Sequence, residues 1–335
     1  MHRVLSFMPH QAWILLQLQQ KRHPHCMRAC DNTGRLNMAS SEKRILITGA
    51  NGLLGKSLLH AGKGRHTLLA TGRGPQRGDC FGATYATVDL MVDGDLQRAM
   101  EDFRPDAVIH AAAMTQVDDC ERNPNQCQAL NVEATANVIA ACESHDAHLL
   151  LLSTDFIFDG KDGPYAEDAE ANPLSVYGQS KLDAETLVKA SACAWTIART
   201  ILVIGYVPTL SRSNIILWAR EALAKGQRIQ VVNDQYRSPT WSMDLAEACL
   251  QIIDSHSLGT YHISGPESMS ILDLVHRVAR HAGLDAGLID EVSSQTLSQV
   301  AARPPVTGFN IDKAKKDFSF SPHSFAEVLD AIPYI

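Results

Sequence analysis

The chain has 335 residues, of which 45% are hydrophobic and 20% are charged, and its formal net charge is −7. This composition is that of an ordinary globular protein, long enough to bury a large core as one α/β domain or a domain and a half. The acidic balance provides no basic field for a nucleic acid or an anionic membrane surface, so we predict neither as a partner.

Cysteine usage indicates a reducing compartment. The eight cysteines are scattered, and no two of them have Cys-x-x-Cys spacing. A secreted disulfide scaffold would be shorter and denser in cysteine, so we predict free thiols and a cytoplasmic location. Cys26 and Cys30 lie beside His23 and His25, but partners at a suitable spacing are lacking elsewhere, and we predict no metal there.

The first 37 residues differ from the rest of the chain. They are basic, with Asp31 as the only acid, and their apolar run 13–16 is too short to span a membrane. One interpretation is a transit peptide, although serines are few. We favour the other, translation from Met38, and assign residues 1–42 to an N-terminal extension that is disordered or non-native.

A strand, a glycine loop and a helix open the fold in KRILITGANGLLGKSLLHA. The apolar, β-branched run 44–48 predicts a buried parallel strand. It leads directly into a G-x-x-G-x-x-G loop, whose glycines allow a tight turn and let backbone N–H groups approach a diphosphate at a helix N-terminus. The predicted dinucleotide-binding residues of this loop are Gly49, Asn51, Gly52, Leu53, Leu54 and Gly55.

The next strand, HTLLATGR, ends where many NAD-binding folds place an acid that binds the ribose. Here Arg73 follows the strand, Arg77 is close behind, and no acid occurs before Asp79. A guanidinium favours a 2′-phosphate, so we predict NADPH as the cofactor, with NADH as the alternative. The competing interpretation of Arg73 is a solvated loop residue.

Two further strand ends are predicted to meet the cofactor. YATVDL places Asp89 and Leu90 at the edge of an adenine site, and PDAVIHAAA ends in small residues that leave room for a cofactor. These small residues are Ala111, Ala112 and Ala113. Strands and helices alternate through about residue 205, which predicts a Rossmann-type doubly wound parallel sheet over residues 43–205.

A tyrosine and a lysine lie one helical turn apart in SVYGQSK, downstream of the apolar strand that ends at Thr154. On a solvated helix Tyr177 and Lys181 would be unremarkable. A ketone that accepts a hydride needs a proton, however, which a phenol can supply. A lysine ammonium would lower the phenol's pKa, and a threonine hydroxyl would orient the carbonyl.

Together with the glycine loop, this constellation resembles the extended short-chain dehydrogenase/reductase family over residues 43–332. The finer resemblance is to the dTDP-4-dehydrorhamnose reductase group, which reduces a nucleotide-linked 4-keto sugar with NAD(P)H. The matching stretches are HAAAMTQVDDCE (110–121), ALNVEATANVIAAC (129–142), STDFIFDG (153–160), YGQSKLDAE (177–185), ART (198–200), NDQYRSPT (233–240), GTYHISG (259–265) and RPPVTGFNIDKAKKDF (303–318).

The resemblance implies roles for further residues. Asn131 would complete a catalytic tetrad by holding a water or backbone group that helps to relay the proton, with a helix N-cap as the alternative. Lys181 would also hold the nicotinamide ribose. The residues expected to contact the nucleotide sugar are Thr115, Asp155, Phe156, Arg237 and Arg303, the two arginines through its diphosphate. For each arginine a surface salt bridge is the alternative.

Three positions depart from the group's pattern. Phe156 stands where a tyrosine is usual, Arg237 where the rhamnose enzymes tend to have glycine, and Ser57 where some members carry a glutamate tied to magnesium. We therefore predict no metal and leave the sugar open.

The remaining chain, residues 206–335, is predicted to be mostly a substrate-binding lobe, with some return to the Rossmann sheet. A homodimer is compatible with this organisation. Two other functions remain open. One is an NAD-retaining epimerase or another enzyme of the extended family. The other is a binding role like that of the regulatory β-subunit of methionine adenosyltransferase, which is similar to this same reductase group.

Overall fold

The computed structural model of the chain describes residues 42–208, 214–297 and 299–333. The predicted extension, and with it the cysteines and histidines near residue 25, lies outside the described residues except for Glu42.

Thirteen strands occur in the described part of the chain. In chain order they are β1 (Arg44–Thr48), β2 (Thr67–Gly72), β3 (Thr84–Thr87), β4 (Ala107–His110), β5 (His148–Thr154), β6 (Trp195–Thr200), β7 (Val203–Ile204), β8 (Ile229–Val232), β9 (Tyr236–Arg237), β10 (Thr240–Trp241), β11 (Gly259–Ile263), β12 (Met269–Ser270) and β13 (Ile289–Val292).

The same residues contain eleven α-helices. They are α1 (Leu53–Gly62), α2 (Asp95–Phe103), α3 (Val117–Arg122), α4 (Pro124–Gln128), α5 (Ala134–His145), α6 (Val176–Ala190), α7 (Ile215–Ala224), α8 (Ser242–Ser255), α9 (Ile271–His281), α10 (Asp312–Phe318) and α11 (Phe325–Ala331). A π-helical turn, Ala129–Glu133, links α4 to α5. None of the described helices is long and apolar enough to cross a membrane.

Seven parallel strands form the central sheet, in the order β3-β2-β1-β4-β5-β6-β11. The strand order reverses between β1 and β4, which is the topological switch point where open α/β sheets bind ligands at the carboxyl ends of their strands. The predicted Rossmann-type doubly wound sheet is therefore confirmed, and the glycine loop leaves β1 beside this crevice.

Burial on both faces explains the apolar strand sequences. Ile45, Leu46 and Ile47 are fully buried, and every residue of β5 is buried. One core lies between the sheet and helices α1 and α8, and the other lies between the sheet and helices α2, α5 and α6. Parallel strands covered on both faces carry continuous apolar runs rather than alternating ones.

The C-terminal third contributes to two different cores. Helices α7, α9 and α11 share a separate core with β8. Helix α8 instead packs against α1, and β11 extends the main sheet beside β6. The chain thus returns to the Rossmann sheet after residue 241, and a substrate lobe made mostly of residues 206–335 remains a proposal.

Candidate active site

Tyr177 and Lys181 lie in the first two turns of α6. The Ser175 hydroxyl caps this helix by accepting a hydrogen bond from the Gly178 amide at 3.2 Å. Tyr177 is 9% exposed and Lys181 is 4% exposed, so the alternative of a solvated helix start is wrong. Gly178 permits this burial, because a Cβ there would overlap the carbonyl oxygen of Phe156.

Thr154, the last residue of β5, lies against this first turn. Its hydroxyl donates to Oδ1 of Asp155 at 3.1 Å and makes a hydrogen bond with the phenol of Tyr177. The ring of Phe156 meets that of Tyr177 edge-on, with centroids 5.6 Å apart. Thr154 therefore contacts both the phenol and a buried carboxylate.

Burial dominates the electrostatics of the phenol. It raises the pKa of Tyr177 well above the ordinary value, while the contact with Thr154 lowers this pKa in part. Desolvation governs this pKa, with smaller effects from Thr154, Asp155 and two cysteines, and the predicted lowering by Lys181 is not among them. The phenol therefore keeps its proton at neutral pH, which is the form that a general acid requires.

Burial lowers the pKa of Lys181 to about 8, although the nearby Glu185 carboxylate raises it in part. Lys181 therefore carries its charge below about pH 8 and loses it above. We expect NADPH affinity to weaken as the pH rises from 7 to 9.5, because an ammonium attracts an anionic cofactor and a neutral amine does not.

Fluorescence titrations at several pH values would measure this loss of affinity. Lys181→Met should bind NADPH weakly and with little pH dependence. Lys189→Met is the matched control, since Lys189 lies on the same helix and pairs with Glu185 at 3.0 Å. Equal pH profiles for Lys181→Met and the unmodified chain would contradict the expectation.

Asn131 lies inside the π-helical turn and is buried. Its side chain accepts from the Met114 amide at 2.7 Å and donates to the Met114 carbonyl at 3.0 Å. The same Nδ2 lies 2.9 Å from Oγ of Ser180, between Tyr177 and Lys181. The alternative helix N-cap is wrong, because Asn131 bridges two segments instead, and π-helical turns are frequent at functional sites.

Behind this site lies a buried series of hydrogen bonds that the sequence did not predict. The Ala112 amide donates to Thr48 Oγ1 at 3.2 Å, and this hydroxyl meets Nδ1 of His110 at 2.8 Å. Nε2 of His110 meets Thr135 Oγ1 at 3.2 Å, and Thr135 donates to the Asn131 carbonyl at 2.7 Å.

Burial, aided by the nearby Lys181 charge, lowers the pKa of His110 to about 3, so the imidazole is neutral. These hydrogen bonds connect the predicted cofactor edge of β4 to the π-helical turn that holds Asn131. The histidine directly before the predicted alanines was the available sequence signal.

The glycine loop turns tightly and packs closely against neighbouring backbone. Gly49 has a φ of +71°, and a Cβ there would lie 2.8 Å from the Ala112 nitrogen. A Cβ at Gly55 would lie 2.6 Å from the Cα of Ala50. Gly52 precedes α1 without a side-chain cap, so the amides of Leu53 and Leu54 face no competing side-chain acceptor. These features fit a dinucleotide phosphate.

The other predicted cofactor residues lie near the same carboxyl edge. Arg73 and Arg77 are exposed, and neither guanidinium has a hydrogen-bond or ion-pair partner among the described residues. Asp89 and Leu90 follow β3 and are half-buried. The residues after β4 are half-buried at 111–113 and exposed at Thr115.

The predicted role of Arg237 in binding a diphosphate needs correction. The side chain is 4% exposed and donates to the carbonyls of Tyr236 at 2.7 Å and Pro304 at 2.7 Å. Its Nε also lies 3.6 Å from Oδ2 of Asp155. The Arg237 guanidinium is therefore occupied by partners within the protein and does not face a diphosphate.

Asp155 likewise faces inward rather than toward a substrate. It is 2% exposed, and its two oxygens accept hydrogen bonds from the hydroxyls of Thr154 and Thr307. Burial raises the pKa of Asp155, and the Arg237 charge opposes that rise. The Asp155 carboxylate thus contacts both Thr154 and Arg237, the arginine that stands where the rhamnose enzymes tend to have glycine.

Arg303 is half-buried and forms a salt bridge, which is the alternative to binding a diphosphate. Its guanidinium pairs with both oxygens of Asp118, at 3.0 Å and 3.1 Å. Ser57, at the place of the magnesium-linked glutamate, donates to Ser242 Oγ at 2.8 Å. Within the described ranges no group of three or more His, Cys, Asp or Glu side chains is arranged to hold a metal ion.

Comparisons with known proteins agree with this geometry. Residues 43–333 match the sequence model described as the RmlD substrate binding domain. A probable low-salt glycan biosynthesis reductase of Haloferax volcanii is 28% identical over 85% of this chain and 96% of its own. The methionine adenosyltransferase 2 subunit beta of Xenopus laevis is 31% identical over 71% of each chain.

Among solved structures, the fold is similar to dTDP-4-dehydrorhamnose reductase from Bacillus anthracis in complex with NADP. The TM-score is 0.75 at 27% identity, and the match covers 87% of this chain and 99% of that one.

Proposed function

The chain belongs to the RmlD substrate binding domain family, and from this membership we propose that it is an NADPH-dependent reductase of a nucleotide-linked 4-keto sugar. The observation that carries the proposal is the buried phenol of Tyr177, which makes a hydrogen bond with Thr154 and lies one helical turn before the buried Lys181. The similarity to a dTDP-4-dehydrorhamnose reductase solved with NADP supports the same reaction class.

The chain's residues divide the work of the reduction. A reduced nicotinamide, when bound, supplies the hydride to the carbonyl carbon. Tyr177 donates its proton to the carbonyl oxygen, so the ketone becomes an alcohol and the phenol a phenolate. The Lys181 ammonium stabilises that phenolate and holds the nicotinamide ribose. Asn131 holds the Met114 backbone beside them.

Thr154 has a different role in this proposal from the one predicted. Its single proton is directed at Asp155 in the resting chain, which leaves its oxygen free to accept from the phenol. Once the phenol has lost its proton, the Thr154 hydroxyl can turn to the phenolate and donate to it. We therefore place Thr154 on the phenol rather than on the sugar carbonyl.

Cofactor and substrate lie along the carboxyl edge of the sheet in this proposal. The glycine loop with Leu53 and Leu54 binds the diphosphate, Arg73 and Arg77 the 2′-phosphate, and Asp89 and Leu90 edge the adenine. The alanines 111–113 line the cofactor, while Thr115 and Phe156 border the sugar. We also propose that residues 206–335 form most of the substrate lobe and that the protein is a cytoplasmic homodimer. Light scattering would test the dimer.

A spectrophotometric screen tests the reaction. The purified chain is mixed with NADPH and a panel of nucleotide-linked 4-keto sugars, and absorbance at the nicotinamide band is followed. Oxidation with one sugar, and formation of the matching hydroxy sugar, is the expected result. Co-purification of stoichiometric NAD with no net oxidation would favour an epimerase instead.

Cofactor preference provides a separate prediction. We expect NADPH to bind more tightly than NADH, because two unpaired guanidinium groups follow β2 and the nearest acid, Asp79, accepts from the Phe81 amide. Arg73→Asp should weaken NADPH about tenfold or more and leave NADH nearly unchanged, as expected for losing a charge-assisted contact. Fluorescence titration with both dinucleotides measures it. Equal affinities in the unmodified chain would contradict the preference.

A regulatory role is the second candidate, and the 31% identity to a methionine adenosyltransferase 2 subunit beta favours it. That role predicts a stable stoichiometric complex with a partner enzyme and no turnover of any keto sugar. Affinity purification followed by mass spectrometry of the complex, run beside the sugar screen, separates the two functions.

A further inference from the structure

The connection from β2 to β3 carries the two free arginines. We call residues 73–77 the arginine loop. Arg73 and Arg77 point their charges into solvent, and an isolated exposed loop of this kind would lose binding energy to the cost of ordering it. The contacts beneath the loop show that it is already held.

The side-chain amide of Asn51, in the glycine loop, makes hydrogen bonds with the arginine loop and with Tyr85 of β3. Its Nδ2 donates to the Pro75 carbonyl at 3.1 Å and to the Tyr85 hydroxyl at 3.0 Å. Its Oδ1 accepts from the Arg77 amide at 2.9 Å. The side chain therefore ties the diphosphate loop to the arginine loop rather than reaching a cofactor itself.

Tyr85 of β3 holds the loop from the other side. Its hydroxyl donates to the Gly74 carbonyl at 2.8 Å, and Thr87 donates to the same carbonyl at 3.2 Å. Gly72 allows this approach, since a Cβ there would lie 3.0 Å from the Tyr85 oxygen. Burial raises the pKa of Tyr85, and the hydrogen bond from Asn51 and the Arg77 charge oppose that rise.

We propose that Asn51 and Tyr85 are positioning residues that hold the arginine loop ready for the cofactor's 2′-phosphate, and so set the choice between NADPH and NADH. This inference rests on the cofactor part of the proposed function. The hydrogen bonds of Asn51 and Tyr85 already exist in the free chain, so no free energy is needed to order the arginine loop when the cofactor binds. Such preorganisation raises affinity.

Selectivity distinguishes this role from a purely structural one. If Asn51 and Tyr85 only supported the fold, their loss would weaken the binding of both dinucleotides, since both carry the same diphosphate and adenine. If they act through the arginines, their loss weakens only the ligand with the 2′-phosphate. Removal of both arginines should therefore also remove the effect of Tyr85.

The experiment measures the Kd values of NADPH, NADH and 2′,5′-ADP by titration, with no turnover required. Tyr85→Phe should weaken NADPH and 2′,5′-ADP about three- to tenfold, because the loop loses the hydroxyl that donates to Gly74 and accepts from Asn51, and should leave NADH within twofold. Tyr261→Phe is the matched control. It removes a hydroxyl that donates to Asp317 at 3.0 Å on the far edge strand, and it should change no Kd.

The same Tyr85→Phe substitution is then made in a chain carrying Arg73→Ala and Arg77→Ala. There it should have no further effect on NADPH. Equal weakening of NADPH and NADH, or an undiminished effect in the arginine-free background, would overturn the inference while leaving the NADPH preference intact. A chain that binds neither dinucleotide, or both equally, would overturn the proposed cofactor and the inference with it.

Discussion

Replacing Tyr177 with phenylalanine is expected to lower the turnover number for keto-sugar reduction by about 10²–10⁴-fold, the usual contribution of a positioned proton donor. Only a hydroxyl is removed, and the ring keeps its edge-on contact with Phe156. NADPH affinity and the melting temperature should therefore stay close to those of the unmodified chain. Steady-state kinetics on the sugar identified by the screen, with a parallel NADPH titration, would measure both.

Tyr261→Phe serves as the control for this variant, because its hydroxyl lies on β11, outside the site. It should reduce the sugar at the unmodified rate. If Tyr177→Phe also turned over at nearly that rate, the phenol would not be the proton donor. The Tyr-x-x-x-Lys pair would then be part of the buried helix start and nothing more.

The buried pair of Arg237 and Asp155 leads to the second large expected effect. Arg237→Leu should lower the free energy of unfolding by about 3–5 kcal/mol, the usual cost of removing one partner from a buried ion pair. The loss arises because Asp155 would remain buried at 2% exposure without its cation. Chemical denaturation at neutral pH, followed by circular dichroism and by fluorescence, measures the change.

Adding Asp155→Asn to Arg237→Leu should restore part of the stability, because the uncompensated carboxylate is then gone. Arg228→Leu is the matched control, since Arg228 pairs with Asp290 on the exposed surface and should contribute little. A double variant no more stable than Arg237→Leu alone would show that the lost carbonyl contacts, rather than the carboxylate, cause the defect.

The loss of stability in Arg237→Leu should depend on pH in a defined direction. Burial already raises the pKa of Asp155 in the folded chain, and Arg237 opposes that rise. Without the arginine the folded pKa rises further, so the folded state binds more protons than the unfolded state in mildly acidic solution. The destabilisation of Arg237→Leu should therefore shrink as the pH falls from 7 toward 4.

Local sequence was sufficient to predict the framework of the site. The apolar run of β1, the glycine loop and α1 follow one another within twenty residues, and each has its own local signature of burial, turn or periodicity. Tyr177 and Lys181 share a face because four residues make about one helical turn. The strand end at Thr154 and the small residues after β4 were also predictable, as parallel strands end at one common edge.

Only the tertiary structure decided which side chains are free to meet ligands. Arg237 and Asp155 are 82 positions apart in sequence, and Asn51 and Tyr85 are 34 apart, so no local pattern pairs them. The topology brings each pair together, and burial then decides the outcome. A desolvated guanidinium must find a carboxylate and carbonyls, and a buried carboxylate must find donors. This is why Arg237 is bound within the protein while Arg73 and Arg77, held on a braced surface loop, remain available for a phosphate.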